Sequence, residues 1–329
     1  MIRRVSASLA FALLIEACAL APDLRVQQAR ILALAESPDW LNPHAAQSIG
    51  QATGVDVDRS GRVYLFHRAE RAWVEPFPAE PIANDTITII DPTSGRMVAS
   101  WGKGMFIMPH GLSLDAHGNV WVTDVGAHQV RKFGRDGRLV LTLGEFGKPG
   151  NDAQHFNRPT DVAFGPDGTV YVSDGYINTR VVRFSPDGRY LGQWGRPGKR
   201  AAEFDLPHGI AVDSAGRVYV ADRENYRIQI FDAVGRYLAE WDTDRLGDPY
   251  GVSAARDGSI YVIDGGFQAE ETRARIVRLT PRGQVLGTFT AATSRTGTVL
   301  GHDVAVAPDG TVYVADAWAK RVRRLIPAR

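Results

Sequence analysis

Three histidines stand in near-identical surroundings, in Pro109-His110-Gly111-Leu112, Pro207-His208-Gly209-Ile210 and Gly301-His302-Asp303-Val304. Three more versions of the phrase carry no histidine. They are Ala52-Thr53-Gly54-Val55, Pro159-Thr160-Asp161-Val162 and Pro249-Tyr250-Gly251-Val252. In chain order, histidine occupies the second, fourth and sixth copies. A closed ring of six equivalent units would set the three imidazoles roughly 120° apart and aim them at a common axis. Three imidazoles with one position left open form a recurring ligand set for catalytic zinc, whereas structural zinc usually has four ligands, often cysteines. The chemistry expected on the axis is therefore that of a bound metal, zinc before others.

A second comparison takes the residue after the end of each unit's next apolar run, which reads Arg68, Val125, Gly175, Arg223, Gly265 and Ala317. Arg68 and Arg223 belong to opposite units and would reach over the mouth of the ring; the alternative is a surface salt bridge for each. Tyr176 follows Gly175 in the third unit. Beside a metal cation and two guanidinium groups its pKa is expected to fall, which would suit it as a general base. Asp303 replaces the glycine that follows His110 and His208. Two roles stay open for it: a ligand to a second, hard cation such as Ca²⁺, or a carboxylate that orients an imidazole.

Short strands must position these residues. After each phrase comes a Gly-containing turn, such as Gly165-Pro166-Asp167-Gly168-Thr169, and then a β-branched and aromatic run ending in Asp, such as Val170-Tyr171-Val172-Ser173-Asp174. A third run ends in Phe or Leu, and a fourth follows another Gly turn, as in Tyr190-Leu191-Gly192-Gln193-Trp194. Four short antiparallel strands in repeats of about 40 to 50 residues predict an all-β fold, a six-bladed β-propeller. The sixth repeat stops after its third strand at Leu325-Ile326. An open strand edge is a liability, so residues 30–35 are expected to supply the missing outer strand. The stretches 69–85, 144–158 and 196–206 are expected to be rim loops.

The totals agree with one large domain. The chain has 329 residues, 44% hydrophobic and 23% charged, and a ring of repeats is one domain whatever its length, here 22–329. A net charge of +1 gives no electrostatic reason to bind nucleic acid or an anionic membrane. Residues 1–21 open with Arg3-Arg4, run apolar from Val5 to Ile15 and end in small residues around Cys18. That is the layout of a signal peptide, too short to span a bilayer. Export to the periplasm or medium is expected, and the competing version is a lipoprotein signal with a lipid anchor on Cys18. Cys18 is the one cysteine, so no intrachain disulfide forms, and a monomer is expected.

Beyond these patterns, the ordered set Phe66-His67-Arg68, Pro109-His110-Gly111-Leu112-Ser113, Trp121-Val122-Thr123-Asp124-Val125, Val172-Ser173-Asp174-Gly175-Tyr176, Ala221-Asp222-Arg223-Glu224-Asn225 and His302-Asp303 resembles the peptidyl-α-hydroxyglycine α-amidating lyase family. The resemblance runs from about Gly50 to the C-terminus. It implies a propeller of NHL-type repeats with zinc on His110, His208 and His302, Tyr176 as base, and Arg68 and Arg223 lining the site. It also implies a structural calcium on Asp303 and the carbonyls of Val55 and Leu112. The implied reaction cleaves a peptidyl-α-hydroxyglycine, or a related carbinolamide, to an amide and glyoxylate. Two positions depart from the family: Leu300 stands where it has methionine, and Ile177 where animal members have a cysteine next to the tyrosine. Two other readings compete, a non-catalytic NHL propeller that binds a partner and a lactonase-type hydrolase centred on Ca²⁺. The histidine-rich channel argues against the second.

Overall fold

Each repeat folds into a four-stranded antiparallel sheet, and six such sheets make up the ring. The computed structural model describes residues 31–37, 39–242, 246–265, 275–290 and 301–328. The expected signal segment, Cys18 and Leu300 lie outside the described residues. Among the described residues no helix is long and apolar enough to cross a membrane.

The innermost strands are Ala52–Val57, Pro109–Leu114, Pro159–Phe164, Pro207–Val212, Pro249–Ala254 and Gly301–Val306. Each pairs with the strand that follows it. The turn between them uses glycine where φ must be positive, as at Gly168 with φ +83°, a conformation that costs other residues a Cβ clash. Side chains of the second strand alternate in direction but are buried on both faces, since each blade is covered by two neighbours. Tyr64, Trp121, Tyr171, Tyr219, Tyr261 and Tyr313 occupy the same place in the six second strands, and all are buried.

The core is consequently divided into wedges between blades. One wedge joins Tyr171 and Val181 of blade three to Ile210, Val218, Val220 and Phe231 of blade four. Another joins Tyr313 and Ala315 of blade six to Val55, Val63 and Leu65 of blade one. Burial of one large aromatic side chain contributes about 1.5–3 kcal/mol, and six equivalent rings distribute that term evenly around the axis.

Ring closure combines the two ends of the described chain. Leu34–Glu36 pairs antiparallel with Leu325–Pro327, forming the outer strand of the sixth blade. The 30–35 run expected there overlaps it by only two residues, because the chain first attaches to blade five: Leu32 N–H donates to Thr288 O at 2.7 Å, and Ile31 bridges Thr288 in parallel. Buried Arg323 fastens the seam, donating from Nε to Asp316 and from Nη1 to Glu36, both at 2.9 Å.

Candidate metal centre and active site

The six inner strands share one irregularity. Their pairing with the second strand slips just after the first residue, between Pro109 and Leu112, Pro207 and Ile210, and Gly301 and Asp303, and at the matching places in the other three blades. A bulge re-aims the side chain it contains. The second residue of the strand, Thr53, His110, Thr160, His208, Tyr250 or His302, lies in it. The loop leading in is also fixed: Asp124 accepts from the N–H groups of Ile107 at 2.7 Å and Met108 at 2.8 Å, and Asp222 accepts from Asp205 N–H at 2.7 Å.

His110, His208 and His302 converge at the axis. Their ligand nitrogens lie within 4.8 Å of one another, and all three residues are buried. Each points its Nδ1 outward to the carbonyl of the next blade: His110 to Thr160 O at 2.6 Å, His208 to Tyr250 O at 2.8 Å and His302 to Thr53 O at 2.7 Å. A carbonyl only accepts, so Nδ1 carries the proton and Nε2 keeps its lone pair for the axis. The non-histidine blades thus supply the acceptors that set the tautomers. Burial, then mutual charge, pushes the His110 pKa well down; burial, then His302 and Arg223, does so for His208. Burial and Arg68 bring His302 to about 3. The rings are neutral at pH 7, as metal ligands must be.

The glycine after each of the first two histidines belongs to the same device. A Cβ on Gly111 would lie 2.6 Å from Thr160 O, and one on Gly209 2.7 Å from Tyr250 O. These are the same two carbonyls that bind the histidines, so the His-Gly pair lets an acceptor approach and then uses it.

Tyr176 Oη sits 3.0 Å from His110 Nε2 and 3.5 Å from His208 Nε2. Its ring packs against Trp73 at 5.1 Å. Among the protein's own groups, burial of the phenolate outweighs the opposing pull of Arg223 and Arg68, and the phenol is raised above its ordinary value; the sequence-based expectation of a lowered pKa includes a metal cation beside it. Arg68 is buried, donating from Nε to Pro109 O at 3.1 Å and from Nη1 to Gln51 Oε1 at 2.8 Å, with its guanidinium 4.8 Å from the Trp73 ring. Burial lowers its pKa to about 10. Arg223 lies across from it with its guanidinium 4.7 Å from the Tyr250 ring and 5.8 Å from that of Tyr176. It also bonds Glu224 Oε1 from Nη2 at 2.8 Å.

Asp303 orients no imidazole, since the His302 Nδ1 is taken by Thr53 O. Its Oδ2 accepts from Val55 N–H at 2.9 Å and its Oδ1 from Val304 N–H at 2.8 Å. It lines, with Val55, Leu112, Asp56 and Asp161, a cavity of about 470 Å³ at the channel's other end. Burial raises the pKa of Asp56 to about 6 and of Asp161 to about 7; burial, then Asp161, raises that of Asp303.

Sequence comparison had singled out the histidines, Tyr176 and both arginines, and the fold brings these six together. It had passed over Trp73, Gln51, Glu224 and Tyr250. Only Tyr250 carried a signal, as the one aromatic among the non-histidine residues at the second position of the inner strands.

The NHL repeat model matches residues 106–133, 156–184 and 204–231. A probable peptidyl-α-hydroxyglycine α-amidating lyase of Caenorhabditis elegans is 34% identical over 298 residues, 84% of this chain and 83% of that one. The chain belongs to the peptidyl-α-hydroxyglycine α-amidating lyase family. The peptidyl-glycine α-amidating monooxygenase A of Xenopus laevis is 37% identical over 319 residues, 90% of this chain, which spans about a third (34%) of that relative's length. Among solved structures, a gluconolactonase of Xanthomonas campestris superposes with a TM-score of 0.61 at 16% identity, covering 92% of this chain and 99% of that one. That likeness is one of fold alone.

Proposed function

We propose that this protein is a zinc-dependent lyase that cleaves the N–C bond of a peptidyl-α-hydroxyglycine or related carbinolamide, giving an amide and glyoxylate. The observation that carries the reading is the place of Tyr176 Oη, 3.0 Å from a metal-facing imidazole nitrogen and between two arginines of opposite blades. Family membership supports the lyase class.

His110, His208 and His302 fit zinc, being neutral, convergent and fixed in the required tautomer. When bound, zinc supplies Lewis acidity that lowers the pKa of the substrate hydroxyl. Tyr176, held as the phenolate that a cation at the histidines would favour, takes the hydroxyl proton, the C–O bond gains double-bond character, and the electron pair of the breaking C–N bond passes to nitrogen. The nitrogen needs one proton and Tyr176 has just received one, so the base ends as it began. A cation at the histidines would act on Tyr176 in the same direction as the arginines, against the effect of burial. Arg68 and Arg223 hold the α-carboxylate by charge-assisted hydrogen bonds. Below them, a hard cation suits Asp303 with the carbonyls of Val55 and Leu112: three carboxylates with raised pKa values share that cavity, and positive charge would relieve them. We also propose export as the route by which the domain meets its substrate, from the 1–21 segment.

The test is glyoxylate release from a short N-acyl-α-hydroxyglycine by the purified protein, before and after chelation and zinc add-back. Tyr176→Phe should lower kcat about 10²–10⁴-fold while zinc content stays near one per chain. Zinc-loaded protein that releases glyoxylate only at the spontaneous rate removes the reaction and leaves the binding propeller in its place.

A further inference from the structure

The six residues at the second position of the inner strands are three histidines, two threonines and one tyrosine. The threonines turn their hydroxyls into the backbone: Thr53 Oγ1 donates to Phe66 O at 3.3 Å and Thr160 Oγ1 to Pro207 O at 2.9 Å. Tyr250 also lends its carbonyl to a histidine, but its ring stands in the site instead, with its centroid 5.0 Å from that of His208 and 6.1 Å from that of His302. Space is kept for it in its own blade, because a Cβ on Gly265 would lie 2.3 Å from Tyr250 Cδ2. The Arg223 guanidinium lies 4.7 Å from the centre of this ring, nearer than to Tyr176. Glu224 engages one edge of the same guanidinium through Nε and Nη2. That ion pair joins neighbouring residues at a half-exposed glutamate, a kind of contact that fixes little by itself. The other partners are two tyrosines: Tyr176, to which the guanidinium is hydrogen-bonded, and the ring face of buried Tyr250, which lies nearer.

We propose that Tyr250 is a positioning residue for carboxylate recognition, the shelf on which Arg223 is held over the three histidines. The proposal rests on the lyase reading for the identity of the carboxylate, the acidic end of an α-hydroxyglycine. A cation over an aromatic face is attracted by the ring quadrupole, more strongly when desolvated. The hydroxyl is not required for that; the π face is.

The probes are N-benzoylglycine, an unreactive acid, and N-benzoylglycinamide, its uncharged counterpart. Their dissociation constants are measured by calorimetry on the zinc-loaded full chain and on Tyr250→Phe, Tyr250→Leu and Tyr250→Met, with zinc per chain as the check on folding. The unmodified protein should prefer the acid. Tyr250→Phe should bind it within about twofold, and Tyr250→Leu about tenfold more weakly, the scale of one desolvated cation–π contact. Binding of the amide should be the same in all. Tyr250→Met keeps bulk without a π face and should match Tyr250→Leu, serving in its place if the smaller side chain does not fold. Equal loss for acid and amide, loss in Tyr250→Phe as large as in Tyr250→Leu, or no preference for the acid in the unmodified protein each overturns the proposal. Absence of glyoxylate release from the hydroxylated substrate is a separate result, which sinks the lyase reading and leaves the binding comparison readable.

Discussion

At the scale of single residues, burial decides protonation in this protein more often than neighbouring charge does. His67 makes the point away from the metal centre. It is buried, its ring bonds Thr88 Oγ1 through Nε2 at 2.9 Å, and Nδ1 accepts from Ala69 N–H at 3.2 Å. Burial pushes its pKa down to about 4, against the pull of Asp85 and Glu70. A histidine whose folded pKa is depressed contributes stability that is complete above its unfolded value near 6.5 and is lost as pH falls through about 4. The difference amounts to about 3 kcal/mol at most. His67→Gln should therefore flatten the fall in melting temperature between pH 6.5 and 4; an unchanged slope would mean that the ring is not held neutral. The same dominance of burial acts on Tyr176, where it outweighs the pull of Arg223 and Arg68 among the protein's own groups. The sequence shows which charges accompany a phenol but not how little water reaches it.

At the scale of the strand, the His-Gly pair is the working unit, and its two halves can be separated experimentally. Gly111→Ala leaves the ligand in place but sets a methyl against Thr160 O and Asp161. Overpacking of this kind costs about 1–3 kcal/mol, and it should weaken zinc binding by displacing the carbonyl that holds His110. Equilibrium dialysis and thermal melts of the variant measure both effects, and zinc affinity equal to that of the unmodified protein would count against this account. Blade count, strand order and the alternation of histidines were legible in the sequence because repetition puts equivalent residues at equivalent places. The bulge that turns the second residue inward was not, since a register slip depends on pairing geometry that no single strand displays. Nor were the contacts with Arg68 of Trp73, which stands in the long 69–85 connection, and of Gln51, just before the first inner strand. The outer strand of blade six lies at Leu34–Glu36, sharing Leu34 and Ala35 with the expected run; Leu32 and Leu34 pack on the core as an apolar run should, whereas the attachment of Leu32 to Thr288 of blade five was not legible.

At the scale of the whole ring, the three histidines come from blades two, four and six, so an ion bound by them would tie together blades that are not neighbours around the ring. Removing it should lower the melting temperature by roughly 5–10 °C if zinc is held about a thousandfold above its dissociation constant, and calorimetry before and after chelation reads this directly. The seam is a second tie. Glu36→Ala deprives buried Arg323 of one of its two carboxylates, and a loss of about 2 kcal/mol should appear in urea denaturation. Leu34 pairs with Pro327, nearly the whole described chain apart. A ribosome delivers one of these partners before all six inner strands and the other after them. Until residues 321–327 are made, Leu34–Glu36 has no strand to pair with and the ring cannot close around the three imidazoles. Pairing over such a separation is slow, so the late closure of the ring is also the step that assembles its chemistry.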